Sequence, residues 1–393
     1  MITQPCLPKI LRRSDYRGLA ASLTVAALLI LNFSAPSASA QSFTLLYAFT
    51  TATQGSYPAS GVIRDSAGNL YGTTAFGGTH RQGNVFKLTL QRKLTTLYSF
   101  TGKLDGANPY SGLIRDSAGN LYGTTNLGGL YQNGVVFKLT PTGRLVVVYS
   151  FGAQANDGAN PSGLIMDTQG NLYGVTTSGG AFNLGTVYKL DTGHNETILY
   201  SFTGTNGDGA TPSGLVRDSA GNFYGTTFSG GYLNQGTAFE LEPDGIESIL
   251  HTFLGGSDGS NPGNVTADAA GNLYGGTDGP GAGSIFKIDP SGNLTTLFAF
   301  DTQDGEYPSG GLTFDKSGNM YGTTLMGGNV YPYGTVFKLD PSGNETVLYN
   351  FTGGKDGKYP SVDRLAIDLA GNLYGTTAEG GSGNNGVVFK IKP

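Results

Sequence analysis

The ten residues DSAGNLYGTT are written at Asp65–Thr74 and again, unchanged, at Asp116–Thr125, and near copies continue to the end of the chain. The tyrosine of this motif recurs at Tyr71, Tyr122, Tyr173, Tyr224, Tyr274, Tyr321 and Tyr374, in steps of 51, 51, 51, 50, 47 and 53 residues. A period this long and steady means a repeat architecture, in which each unit is too small to bury its apolar surface without its neighbours. Seven units are predicted.

Each unit holds four short strand-like runs. In the second they are Ser111–Arg115, Asn120–Thr125, Val135–Leu139 and Leu145–Phe151. Their β-branched and aromatic content, bounded by Gly, Asp, Asn and Pro, favours strands over helices. Gly contributes 65 of the 393 residues without a collagen triplet, so glycine here punctuates turns. In DSAGN, and in DPSGN at Asp289–Asn293 and Asp340–Asn344, the aspartate accepts from the backbone ahead of it and the Gly-Asn pair tolerates positive φ. The chain is predicted to be all-β.

The ends decide how the units are arranged. Phe43–Thr50 (FTLLYAFT) matches the fourth strand of other units, Leu97–Phe100, Leu199–Phe202, Leu297–Phe300 and Leu348–Phe351, whereas the C-terminus stops just after a third strand, at VVFKIKP. One end carries the strand that the other lacks. This predicts a closed seven-bladed β-propeller with four antiparallel strands per blade, in which the N-terminal strand completes the last blade and leaves no edge unpaired. A lysine recurs in the third strand as Lys87, Lys138, Lys189, Lys287, Lys338 and Lys390, with Glu240 in the fourth unit. The topology puts it near the turn aspartate, so ion pairs such as Asp116–Lys138 are expected.

Residues 1–40 read as a signal peptide and 41–393 as a single propeller domain. Lys9, Arg12, Arg13 and Arg17 precede an apolar run from Leu19 to Phe33, and Ala38-Ser39-Ala40 offers a cleavage site before Gln41. The only cysteine, Cys6, lies in that leader, so the mature chain has no disulfide to stabilise it. Loss of the leader takes the formal charge from −5 to −8, because four bases and Asp15 leave with it. That sign argues against nucleic acid or an anionic membrane surface as partner. A secreted monomer without a membrane span is expected.

The unit pattern, DGxxPxSGLIxDSAGNLYGTTxxGGxxxxGTVFKL followed by LYSF, resembles the GloVer tandem repeat of exported bacterial proteins and covers essentially the whole mature chain. The resemblance implies a secreted repeat protein and brings no catalytic residues with it. Kelch and WD propellers carry a tryptophan, and this chain has none.

Function is sought on the rim that carries the longer loops, those between second and third strands and those between blades. The first kind vary and hold Tyr131, Phe182, Tyr232, Tyr331 and Tyr333 among Asn and Gln, a candidate platform for sugar rings or a peptide. The second kind repeat DG, at Asp105, Asp157, Asp208, Asp258, Asp304 and Asp356. These carboxylates could polarise a substrate or hold calcium, although Asp-Gly ahead of Pro reads first as a turn. Arg64, Arg115 and Arg217 are candidates for an anion cluster at the other end of the channel. His80, His194 and His251 fall at unrelated points of their units, so no metal triad or nucleophile–base pair is suggested. No metal, cofactor or catalytic residue is predicted. The expectation is a non-enzymatic binding module for a glycan or a cell-surface protein, with a polysaccharide hydrolase or lyase using the DG aspartates as the alternative.

Overall fold

The computed structural model describes residues 41–308, 310–361 and 363–393. The predicted leader lies outside the described residues. Apart from one 3-10 turn at Ala52–Gln54, the regular elements are antiparallel strands in seven sheets. They form a seven-bladed propeller. The strands of each blade are called a to d from the central axis outward. In blade 2 they are Ile114–Arg115, Leu121–Thr125, Val135–Leu139 and Leu145–Ser150, close to the sequence expectation except that strand a is short.

Blade 7 takes its outermost strand from the other end of the chain. Ser42–Ala48 pairs antiparallel with Val387–Lys392, from Ser42 opposite Lys392 to Ala48 opposite Val387. The predicted closure is therefore present.

Strands b and c are buried on both faces because each sheet is sandwiched between two others. Leu70–Thr74 is buried throughout, and Val135–Leu139 is buried at all but Lys138. The middle residue of strand b is glycine in every blade, and packing explains it. A Cβ on Gly123 would lie 2.7 Å from the Phe137 ring of strand c, and Gly72 and Gly225 meet Phe86 and Phe239 in the same way. The ring covers the place a side chain would need.

Between blades, the last aromatic of each strand d meets the strand-c ring of the next blade edge to face. The pairs are Phe49–Phe86, Phe100–Phe137, Phe151–Tyr188, Phe202–Phe239, Phe253–Phe286, Phe300–Phe337 and Phe351–Phe389, with centroids 5.0–5.4 Å apart. Such contacts add about 0.5–1.5 kcal/mol each beyond area burial. Phe49, from the N-terminal segment, closes the circle.

The interblade loops explain why DG is followed by Pro. In every blade the residue before that proline has positive φ, and its N–H donates to a loop carbonyl of the preceding blade: Asn108 to Gln82, Asn160 to Asn133, Thr211 to Leu184 and, across the closure, Tyr57 to Asn385. The proline ring then lies on a glycine of that loop. At Gly134, φ is +92° and a Cβ would come 2.2 Å from the Thr125 carbonyl and 2.6 Å from Pro161 Cδ. Gly134→Ala thus combines backbone strain of about 1–3 kcal/mol with a clash of similar size. It is expected to lower the melting temperature by several degrees; an unchanged melt would show that this seat is not needed.

The repeated DSAGN turn is a clasp. In blade 2 the Asp116 carboxylate accepts from Asn120 N (2.8 Å), Asn120 Nδ2 (2.6 Å) and the Tyr122 hydroxyl (3.2 Å), and the same three donors recur in all seven blades. Burial alone would raise the Asp116 carboxyl, but the Asn120 and Tyr122 hydrogen bonds outweigh it and hold it below the usual range. The expected Asp116–Lys138 ion pair does not form, nor do its equivalents among the described residues. The tyrosine hydroxyl has taken the carboxylate oxygen, and the lysine lies over the ring instead. Lys138 Nζ is 5.4 Å from the Tyr122 centroid and Lys87 Nζ 5.5 Å from that of Tyr71. In blade 4, Glu240 accepts directly from Tyr224 at 2.8 Å.

Candidate functional site

The loops between strands b and c share a rim with the interblade loops, as the pairing of Ala107 with Leu127 and of Gly158 with Gly179 shows. This rim is where apolar side chains meet solvent. Thirteen of the sixteen exposed large apolar residues described belong to its loops; the other three, Leu90, Ile246 and Leu369, stand on turns at the opposite rim. Scattered apolar residues are normal on a protein surface, but here they are concentrated on one rim.

Each aromatic predicted for that face is on it. Tyr131, Phe182, Tyr232 and Tyr331 are exposed, Tyr232 at 74%. Tyr131, Phe182 and Tyr232 occupy separate loops, and no described ring stacks on them. Tyr333 is half-buried and offset-stacked on Tyr331, with centroids 6.4 Å apart, and it meets Tyr359 edge to face. A second group was not anticipated: Tyr57, Phe76 and Tyr110 pack together at 5.7–6.3 Å. Tyr57 and Tyr359 are pre-proline residues with φ of 59° and 56°, a costly conformation for a bulky side chain.

The DG carboxylates are turned into their own loops. Asp105 accepts from the Tyr98 hydroxyl (2.9 Å), from Thr101 N (2.8 Å) and from the Thr101 hydroxyl. Asp157 accepts from the Tyr149 hydroxyl and the N–H groups of Gly152 and Ala153. Asp208 and Asp356 repeat this with Tyr200 and Thr203 and with Tyr349 and Thr352, while Asp258 takes His251 Nε2 at 3.3 Å in place of a tyrosine. Asp304 is the exception. Blade 5 has Phe298 where the tyrosine stands and Asp301 where the threonine stands, so burial and the Asp301 charge raise the Asp304 carboxyl. No group of three or more His, Cys, Asp or Glu gathers at metal-binding distance among the described residues.

The arginines are spread around the other rim. Arg64 lies over Tyr374, Arg217 lies over Tyr173 and Phe223, and Arg115 lies against the turn glycine Gly119.

On the axis, strands a of all seven blades line a cavity of about 620 Å³. Here the repeat is broken in a way the sequence records. The spacing from the interblade proline to the turn aspartate is six residues in blades 3, 4 and 5, seven in blades 1, 2 and 6, and eight in blade 7. Six gives an unbroken strand a, such as Gly158–Met166; eight splits blade 7 into Lys358–Pro360 and Ala366–Ile367. The extra residues bring Asp363 and Arg364 to the cavity wall, which Asn264 and Tyr110 also line. Arg364 Nη2 donates to the Val265 carbonyl of blade 5 at 2.9 Å, and Gly61 N donates to Asp363 at 3.4 Å.

A ring of seven near-identical blades, with an open axis and one apolar loop rim, defines a β-propeller repeat protein. The Gloeobacter/Verrucomicrobia repeat matches residues 33–209 and 205–389, and the chain belongs to that family. No curated protein matches it. Among solved structures it is similar to the extracellular domains of BT4673, assigned to a one-component system, and BT3049, assigned to a hybrid two-component system, both of B. thetaiotaomicron. Identities are 13% and 16% and TM-scores 0.57 and 0.58; the alignments cover 88% and 89% of this chain but only 39% and 41% of theirs. An assigned 6-phosphogluconolactonase of Bacteroides uniformis aligns at 18% identity and TM-score 0.51, covering 78% of this chain and 88% of that one. These likenesses concern the fold. No helix among the described residues is long and apolar enough to cross a membrane.

Proposed function

We propose that this chain is an exported binding module, with residues 1–40 as its signal peptide, and that its long-loop rim receives a glycan or a cell-surface protein. The observation that carries the reading is the one-sided distribution of exposed apolar side chains. Tyr131, Phe182, Tyr232 and Tyr331 present ring faces, and the Asn and Gln beside them supply donors and acceptors, a combination suited to the apolar and hydroxyl-bearing faces of a sugar. The extracellular domains that share the fold are compatible with such a role.

Each DG carboxylate other than Asp304 is held by local donors, which favours binding over hydrolysis. A glycan array probed with the wild-type protein tests the reading. Replacing Tyr131, Phe182, Tyr232 and Tyr331 together by Ala is expected to weaken retention at least tenfold, since stacked aromatic anchors contribute about 1–2 kcal/mol or more each. Replacing Leu90, Ile246 and Leu369 is expected to change nothing. Reducing-end release that disappears in Asp105→Asn or Asp208→Asn would instead establish the hydrolase or lyase.

A further inference from the structure

The axial cavity holds charge that the fold does not neutralise. Its lining contains three charged residues, Arg64, Asp363 and Arg364; the Arg64 head lies over Tyr374 toward the rim, which leaves Asp363 and Arg364, in no ion pair among the described residues, as the charges of the inner wall. Arg364 belongs to the one blade whose inner segment is two residues longer than the shortest form, and its stem crosses Gly311 of blade 6 to reach blade 5. Its guanidinium has five N–H donors, and among the described residues one bond is made, to the Val265 carbonyl. No carboxylate among the described residues lies within ion-pair distance of it. Asp363 is adjacent in sequence, but its oxygens accept from Arg364 N and Gly61 N rather than from the guanidinium. Arg364 is exposed and lines the cavity, and the partial desolvation it meets there works against its charge. A guanidinium exposed on a concave wall, with most of its donors free of any described partner, is a fork shaped for a planar carboxylate.

The rest of the wall is largely apolar, with hydroxyls set into it. Ser111, Ser162 and Ser213 line the cavity with Asn264, and Tyr110 of the aromatic group borders it. A volume of about 620 Å³ lies within the roughly 300–1,000 Å³ range of small-molecule sites.

We propose that this cavity binds a small polyhydroxylated carboxylate of sugar-acid size, with its carboxylate clamped by Arg364 and its hydroxyls facing Asn264, Asp363 and the wall serines. The proposal deepens the binding reading by naming a ligand class. It rests on that reading only in having the ligand enter from the long-loop rim.

Isothermal titration of the mature protein with glucuronate, galacturonate and the neutral isostere glucuronamide tests it. Glucuronate or galacturonate is expected to bind in the millimolar range or tighter, with glucuronamide at least tenfold weaker. Arg364→Gln is expected to abolish the difference between acid and amide. Asn264→Asp keeps the arginine but adds a negative charge to the wall, and is expected to weaken the acid at least fivefold more than it weakens the amide; Asp363→Asn is expected to strengthen the acid relative to the amide. Melting temperatures confirm that each variant is folded, and the Asn264→Asp arm keeps the test decisive if Arg364→Gln is not. Absence of binding by both acids, or equal binding of acid and amide by the wild type, would overturn the proposal. The quadruple rim variant is expected to bind the acids normally, so loss of the rim platform and loss of the cavity site are read separately.

Discussion

Removing residues 41–50 is expected to lower the melting temperature by more than about 15 °C, or to prevent folding. The segment does more than add an edge strand. Phe43 stacks on Tyr349 of blade 6 at 4.3 Å and lies 6.0 Å from Phe389, so it joins two blades. Phe49 is fully buried and makes the edge-to-face contact with Phe86 of blade 1, while Leu46 and Tyr47 pack into the same cluster. With Leu45, which packs beside Phe43, these are five apolar side chains at up to roughly 1.5–3 kcal/mol each, and together with a strand ladder they amount to about 10 kcal/mol. That is comparable with the roughly 5–15 kcal/mol net stability of a domain. At about 2–4 °C per kcal/mol the effect is tens of degrees. The deletion also exposes Val387–Lys392 as a bare edge, so aggregation of the truncated chain is expected. Scanning calorimetry measures the loss, and a synthetic peptide of residues 41–50 is expected to restore part of it. A truncated protein that melts with the wild type would mean that blades 1 and 6 hold the ring without the strap.

Much of this was legible before any coordinates, because one unit repeated seven times turns weak local signals into a strong one. A single LYG or DSAGN says little, but seven at a steady period leave few architectures, and the misplaced fourth strand at Phe43–Phe49 specifies closure. Side-chain partners were harder to read. Asp116 and Lys138 do approach at one rim, yet the nearer Tyr122 hydroxyl wins the carboxylate, because a donor fixed on the same hairpin loses less entropy than a long flexible lysine. The DG aspartates were legible as turn residues, though their tyrosine donors, seven or eight residues earlier, were not. The axial site was missed for a different reason. The repeat carries no signal for it, because Asp363 and Arg364 arise from what does not repeat: SVDRL stands where SGL is the rule, with two residues more than in blade 3. In a repeat protein, irregular spacing on the innermost strand points toward the axis.

The fold should be most stable near pH 5 and lose stability as the medium becomes alkaline. Glu196, Glu247 and Glu345 each open the outermost strand of a blade and face the interblade loop of the blade before. Burial, and then the Asp157 carboxylate, push the Glu196 carboxyl up to about 8. Burial, and then Asp208, push Glu247 up to about 7, and Glu345 reaches about 7 by burial beside Asp304 and Asp301. Glu196 Oε1 is buried with no donor among the described residues, so a proton on that carboxyl avoids a buried unpaired charge. The folded chain therefore keeps protons that the unfolded chain releases near the ordinary glutamate value of about 4.3. Their contribution is complete below that value and is lost as pH rises through 7 to 8. The clasp aspartates, such as Asp65 and Asp116, act in the opposite sense: hydrogen bonds hold them low, so their contribution is lost as pH falls below about 3.9. Between the two limbs lies a maximum. With partial solvent screening, each glutamate is assigned on the order of 1–2 kcal/mol, and the wild type is expected to melt roughly 10 °C lower at pH 9 than at pH 5. The triple variant Glu196→Gln, Glu247→Gln, Glu345→Gln should flatten the alkaline limb, raise the melting temperature at pH 9 and leave the acid limb in place. A wild-type melting temperature that stays level from pH 5 to pH 9 would show that these carboxyls are ionised in the folded ring, and that the seams between blades tolerate paired negative charge.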